Sequence, residues 1–414
     1  MDIHRECVKF SVNFFMHVNR ILLMAFAAAV LLPSVAQERF LPADSTVVLS
    51  TSVHAQRGLN GSLRALDQAW RAQPNDLDVS LAYARAVFIL GLAEGDLRWF
   101  GSAKAAITPW WQAIELPADG YFVRGLIKQG FHEFDAGLQD INQATAKEQR
   151  RAEFWSWRFA LHLLLADMTA ARQDIDEMTR LFGSEEAHVY RAVLLYRTGQ
   201  PQTAIAMLQN ALSAPRFQDA SSQDWLSFHL GEAHRVAGQP KLAVATWEKQ
   251  LKASPQSHLI RLSLAEMLNK LGQHRQAKAI AITNAATDAL LVQALLAMRG
   301  LKDPNEFRLA SQIDARLESQ ALRQESLIER PQLIYLIAYG KDVSAGLALS
   351  IINWQLQKEP PDAVLFIQAA LALNQPRAAA PVVAWAEQSG YSDPQLTPLI
   401  EKLKLHPGWA GSRK

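Results

Sequence analysis

Cysteine is nearly absent from these 414 residues, Cys7 being the only one. One thiol builds neither a disulfide framework nor a cysteine-ligated metal site. Long β-branched runs are scarce, which argues against a sheet and for an all-α chain. Charge of one sign is missing too. Lys and Arg number 42 against 40 Asp and Glu, for a formal net charge of +2. With no basic block and no RGG-like tract, nucleic acid is excluded as the expected partner. The chain lacks Gly-x-Ser-x-Gly, a phosphate-binding glycine loop, His-Glu-x-x-His and a dinucleotide fingerprint. No catalytic residue, cofactor or metal ligand is therefore assigned. What remains is rich in Leu and Ala, 49% apolar and 20% charged, and long enough to bury a large core.

The N-terminus carries an address. Arg20 precedes the apolar run Ile21 to Leu32, followed by Pro33 and Ser34-Val35-Ala36. A basic region, an apolar stretch and a small-x-small site read as a Sec-type signal peptide cut after Ala36. The run falls short of the ~20 apolar residues a span needs, so no stable membrane span is expected after cleavage; an uncleaved anchor is the alternative. Met16 lies just before the signal, and residues 1–15 read as an over-extended start. Cys7 lies upstream of the cut, no other cysteine follows, and the expected compartment is the periplasm. The organisation expected is a signal peptide over 1–36, an irregular segment over 37–60, a helical array over 61–405 and a polar tail over 406–414.

The array is read from a period. Residues 230–255 run LGEAHRVAGQPKLAVATWEKQLKASP, and 34 residues on, from Leu264, the chain reads LAEMLNKLGQHRQAKAIAI. Gly238 suits the left-handed residue that ends a helix, and Pro240 suits the first turn of the next. Ala243 is small enough for two antiparallel helices to cross closely. The same turn recurs at Gly199-Gln200-Pro201 with Ala204, Gly272-Gln273-His274 with Ala277, and Asn374-Gln375-Pro376 with Ala379. Gly340 with Ala345, Ala166 with Ala171, His132 with Gly137 and Arg98 with Ala103 keep nearly the same beat. Between Gly199 and Gly238 the polar stretch 217–222 reads as an insert. Near residue 306 only Asp303-Pro304-Asn305 offers a turn, so that repeat reads as degenerate.

A 34-residue helix–turn–helix period with Leu-Gly, then Ala-x-x-x-aromatic, then Pro resembles the tetratricopeptide repeat family. The best copy is Leu230-Gly231, Ala243, Trp247, Leu251 and Pro255, with Gly238 at the turn. The next copy departs from it: Ala265 stands in the place of Gly231 and Ala281 in that of the aromatic. The chain also resembles exported repeat proteins of Gram-negative bacteria, in the stretches AEGDLRWFGSAKAAITPWW (93–111) and NWQLQKEPPDA (353–363). That likeness implies an address and a fold but no reaction. The implied architecture is a right-handed superhelical solenoid of about nine hairpins, their first helices lining a concave face suited to a peptide or a partner helix.

The resemblance puts Tyr196, Arg197, Trp225, Phe228, Arg235, Asn269 and Lys270 on that face, as a candidate partner-binding groove. A row of cations beside aromatic rings suits a carboxylate flanked by an apolar anchor, although Glu232 and Glu266 partly neutralise it. His229-x-x-Glu232-x-His234 is not a metal site, because histidines five apart lie on different helix faces. Asp135, Asp140, Asp174 and Asp176 read as solvated faces and intra-helix pairs, and Trp70 and Trp247 as second-helix core. The expected function is an exported, non-catalytic protein-interaction scaffold. Two alternatives remain, a structural subunit of an envelope assembly and a periplasmic small-molecule-binding protein.

Overall fold

The computed structural model describes residues 61–96, 98–282, 287–322 and 327–409. The signal peptide, the segment 37–60 and the end of the tail lie outside them. The chain divides into two compact units. The larger comprises Ser52–Glu318 and Ser326–Lys414, and the smaller Met1–Thr51 and Ser319–Glu325. Of the smaller, only the last turn of one helix is described.

Among the described residues the structure is all-α, without a strand. A lead helix, α1 (Gly61–Ala72), is followed by nine helical hairpins. The first six are α2–α3 (Leu77–Glu94, Arg98–Ala106), α4–α5 (Ala118–Gly130, Phe134–Lys147), α6–α7 (Ala152–Leu164, Met168–Phe182), α8–α9 (Ser184–Arg197, Pro201–Ser213), α10–α11 (Ala220–Val236, Pro240–Ala253) and α12–α13 (His258–Lys270, His274–Ala281). The last three are α14–α15 (Asp288–Leu301, Glu306–Leu322), α16–α17 (Arg330–Leu333, Val343–Leu356) and α18–α19 (Pro360–Ala372, Ala380–Ser389); α20 (Leu396–Leu405) follows.

Each hairpin turns on one residue with positive φ: Gly95, His132, Ala166, Gly199, Gly238, Gly272, Lys302, Gly340 and Asn374. Beyond it, in every hairpin but the eighth, a backbone N–H reaches back five residues to a carbonyl of the ending helix. Asp167 N donates to His162 O (2.8 Å), Gln239 N to His234 O (2.8 Å) and Asp303 N to Met298 O (2.9 Å). This bond satisfies a carbonyl the helix end would otherwise orphan. The repeat that read as degenerate is thus a complete hairpin, with Lys302 at φ 53° doing what glycine does elsewhere. Its turn comes before the expected position because α13 is only 8 residues long. The first turn likewise sits at Gly95 rather than at Arg98, which opens α3.

In most hairpins a small residue five places after the turn is buried between the helices, although the place holds Phe100 in the first and the exposed Phe307 in the seventh. Ala171, Ala204, Ala243, Ala277 and Ala379 are all fully buried. In the eighth hairpin the position shifts by one: Ala345 is half-buried and Gly346 lies under Ile337. The cause is a π turn, Ile334–Ala338, after which Lys341 N reaches back six residues to Tyr335 O. A π turn adds one residue to the helical register. The polar stretch after α9 folds as one short helical turn, Pro215–Phe217, and then as the start of α10, whose cap Asp219 accepts from Ser222 N (2.9 Å).

Trp247 is fully buried, and a Cβ added to Gly231 would overlap its indole. The repeat's glycine therefore makes room for the repeat's aromatic. One repeat on, Ala265 and Ala281 are both fully buried in one apolar cluster, so the two departures from the pattern compensate each other.

Two aspartates read as solvated are core residues. Asp140 accepts from Arg124 through both oxygens (2.7 and 2.8 Å) and pairs with Lys128 at 2.8 Å. Asp174, fully buried, accepts from Arg158 at 2.8 Å and meets His162 Nδ1 at 2.9 Å. The same arginine–aspartate pair thus recurs one period apart, joining first helix to second; low-dielectric burial requires such pairing. Asp135 and Asp176 are exposed.

Candidate functional site

First helices end in a row. Tyr196 and Arg197 close α8, Arg235 closes the helical run of α10, and Asn269 and Lys270 close α12. Cations at helix C-termini are favoured by the helix dipole. Two segments from the C-terminal hairpins of the same unit are seated on this row, the candidate groove.

The first segment joins α17 to α18. Lys358 N donates to Leu164 O at the end of α6 (2.8 Å), and Glu359 Oε1 accepts from Arg197 Nη2 (2.7 Å). Asp362 accepts from Arg330 Nε (2.6 Å), Asn353 Nδ2 (3.1 Å) and Gln357 Nε2 (3.2 Å). The second segment joins α19 to α20. Asp393 Oδ2 accepts from Arg235 Nη1 (2.9 Å) and from the Tyr391 hydroxyl (2.7 Å), while its Oδ1 caps Gln395 N and Leu396 N. A side chain on Gly199 would press on the Gly390 carbonyl at 2.8 Å.

Burial opposes the charges of Arg197, Arg235, Glu359 and Asp393, yet the pairing outweighs it. Glu359 is held below the ordinary carboxylate range by Arg197 first, then Arg330 and Arg235. Asp393 is held low by Arg235, Tyr391 and the Leu396 amide. In return Arg197 is raised by Glu359 first, and Arg235 by Glu232 first and then by Tyr391 and Asp393. Both arginines hold carboxylates of their own chain, and Arg235 shares itself with Glu232 as well (3.0 Å).

The other expected groove residues divide. Tyr196 is buried, its hydroxyl 2.8 Å from His229 Nδ1. Burial raises the tyrosine and drives the His229 imidazole down to about 3. Trp225 and Phe228 are half-buried, their rings 4.1 and 4.9 Å from that imidazole. Asn269 is half-buried, and its amide donates to the Gln293 carbonyl at 2.8 Å and so joins α12 to α14. Among the described residues Lys270 alone of the row's cations has no ion-pair partner, and it is exposed. The protein crowded around it lowers the ammonium below its ordinary range, an effect Glu266 partly offsets. It stands in a cleft of about 360 Å³, counting the space open to solvent, with Glu232, Arg235, Glu266, Asp393 and Gln395.

His229, Glu232 and His234, rejected above as metal ligands, each engage a different partner: Tyr196, Arg235 and Gln239. Among the described residues no helix is long and apolar enough to cross a membrane. Sequence reasoning missed Glu359, Tyr391 and Asp393. Their only local signal is that both acids precede a proline, Pro360 and Pro394.

No protein-family model matches the chain, and no curated protein does. Several solved structures are similar to it. PilW, a type IV pilus biogenesis factor, is 16% identical over 51% of this chain and 98% of its own, with a TM-score of 0.39. A Rap protein solved with competence and sporulation factor is 14% identical over 82% and 95%, TM-score 0.47. Yeast Tom70 is 12% identical over 83% and 84%, TM-score 0.40. Likenesses this distant carry no argument about ligand or partner, and the fold class rests on the hairpins themselves.

Proposed function

We propose that the chain is an exported, non-catalytic scaffold that holds a peptide or a partner protein along its first helices. One observation carries the reading. Successive first helices end in arginines that grip carboxylates from segments 158 and 162 residues distant. These positions are built to hold acidic groups of an incoming chain, with the half-buried Trp225 and Phe228 beside them as apolar anchors. Export is supported by the basic, apolar and small-x-small order ending at Ala36. Sequencing of native protein is expected to begin at Gln37.

The binding test uses residues 37–414 as bait in a periplasmic extract, then measures the affinity of each captured protein for two variants. Trp225→Ala is expected to weaken a true partner at least tenfold, and Lys270→Gln to reduce the salt dependence of binding. Unchanged affinity in both, with helicity intact, would place the working surface elsewhere.

A further inference from the structure

The seam between the first-helix ends and the C-terminal segments has the marks of a docking surface. Buried polar atoms in a finished core find partners, but among the described residues six buried side-chain atoms have none, and three of them, Arg197 Nε, His132 Nδ1 and Gln129 Oε1, lie at or just past first-helix ends. The two carboxylates that land on the row are presented alike, as Glu359-Pro360 and Asp393-Pro394. A proline biases the residue before it towards extended backbone, and Glu359 has φ −97° and ψ 137°. Residues 391–395 lie outside any α-helix, after Gly390 at φ 69°, and Ser392 and Pro394 are exposed. Beside them opens the cleft that holds the unpaired Lys270.

We infer that residues 391–395 are an internal ligand of the row, seated on Arg235 in place of an outside segment in which an acid precedes a proline. The inference rests on the partner-holding reading and adds its regulation: an incoming acid–proline segment must displace the chain's own. The geometry specifies what such a segment needs. It offers a carboxylate to Arg235, and its proline packs where Pro394 now lies against the Gly238 turn (3.4 Å to a Cβ built there).

The experiment titrates a peptide copying residues 389–396, blocked at both ends, into the full mature chain. Asp393→Asn removes the competing charge but keeps an N-cap residue for α20. Wild type is expected to bind weakly and Asp393→Asn at least tenfold more tightly. The same peptide with asparagine for its aspartate is expected to bind neither. Equal affinity of wild type and Asp393→Asn, or no loss with the asparagine peptide, would overturn the inference. If Asp393→Asn loses helicity, Tyr391→Phe, which removes a hydroxyl bonded to both Arg235 and Asp393, serves instead, with the same direction expected. The two readings fail separately. A captured partner that responds to Trp225→Ala but not to Asp393→Asn leaves the scaffold standing and sinks the internal ligand.

Discussion

Ala166 and Lys302 occupy backbone positions that L-residues avoid, at φ 62° and 53°. A Cβ crowds the following carbonyl there, at a cost of roughly 1–2 kcal/mol. They are tolerated because the bond back to the ending helix fixes the turn from both sides. Ala166→Gly is expected to raise stability by about 0.5–1 kcal/mol, the relief of strain exceeding the entropy that glycine adds to the unfolded chain. Gly238→Ala should lose about as much. Urea denaturation of the two variants checks the pair, and a destabilising Ala166→Gly would mean that the turn is not strained. Turn chemistry at Gly199, Gly238 and Gly272 was legible in the sequence because glycine advertises a left-handed residue. Lys302 was not, because lysine carries no such signal and the geometry is imposed by the two helices it joins. Asp140 and Asp174 escaped for a related reason: their arginines stand on another helix, where intra-helix spacing says nothing.

Within a hairpin, Gly231 and Trp247 behave as one unit. Trp247→Ala should cost about 3–5 kcal/mol through lost burial and the cavity left behind. Gly231→Ala alone forces a Cβ into the indole and should cost about 1–3 kcal/mol. Together they recreate the Ala265 and Ala281 combination of the next repeat. The double variant is therefore expected to be more stable than the two losses summed, by at least 1 kcal/mol. Additive losses would show that the glycine has a separate role. The pattern also explains which elements were readable. Second helices carrying a small residue five places after the turn fell into register, whereas the π turn in the eighth hairpin moved that position from Ala345 to Gly346. No side-chain periodicity announces such a shift, since the extra residue is absorbed in backbone bonding.

Across the larger unit, the contacts depart from those of a simple stack. A solenoid whose repeats touch only their neighbours unfolds piecemeal. Here Arg197–Glu359, Arg235–Asp393 and the Lys358 amide tie the eighth and ninth hairpins and α20 to the third, fourth and fifth. One apolar cluster holds Trp155 to Val236 together with Leu291 to Leu403. Sequence could not reveal this, because nothing in a 34-residue period says which distant repeats meet. The same seam sets a pH dependence. His229 is packed neutral between Tyr196 and Trp225 and titrates at about 3, against 6.5 in the unfolded chain. A histidine with a depressed pKa binds fewer protons when folded. Its stabilisation is therefore complete above pH 6.5 and lost as pH falls from there towards 3, at up to about 1.4 kcal/mol per pH unit. His132 and His258 are also depressed by burial and act in the same direction. Glu359 and Asp393, depressed from 4.5 and 3.8, withdraw their share only below those values. The melting temperature is thus expected to fall steadily between pH 6.5 and 5, before either carboxylate contributes. His229→Gln should make that part of the curve shallower, His132 and His258 keeping their share, while leaving the drop below pH 4.5 in place. A wild-type melting temperature constant from pH 7 to 5 would show that the imidazole is not held neutral by the fold.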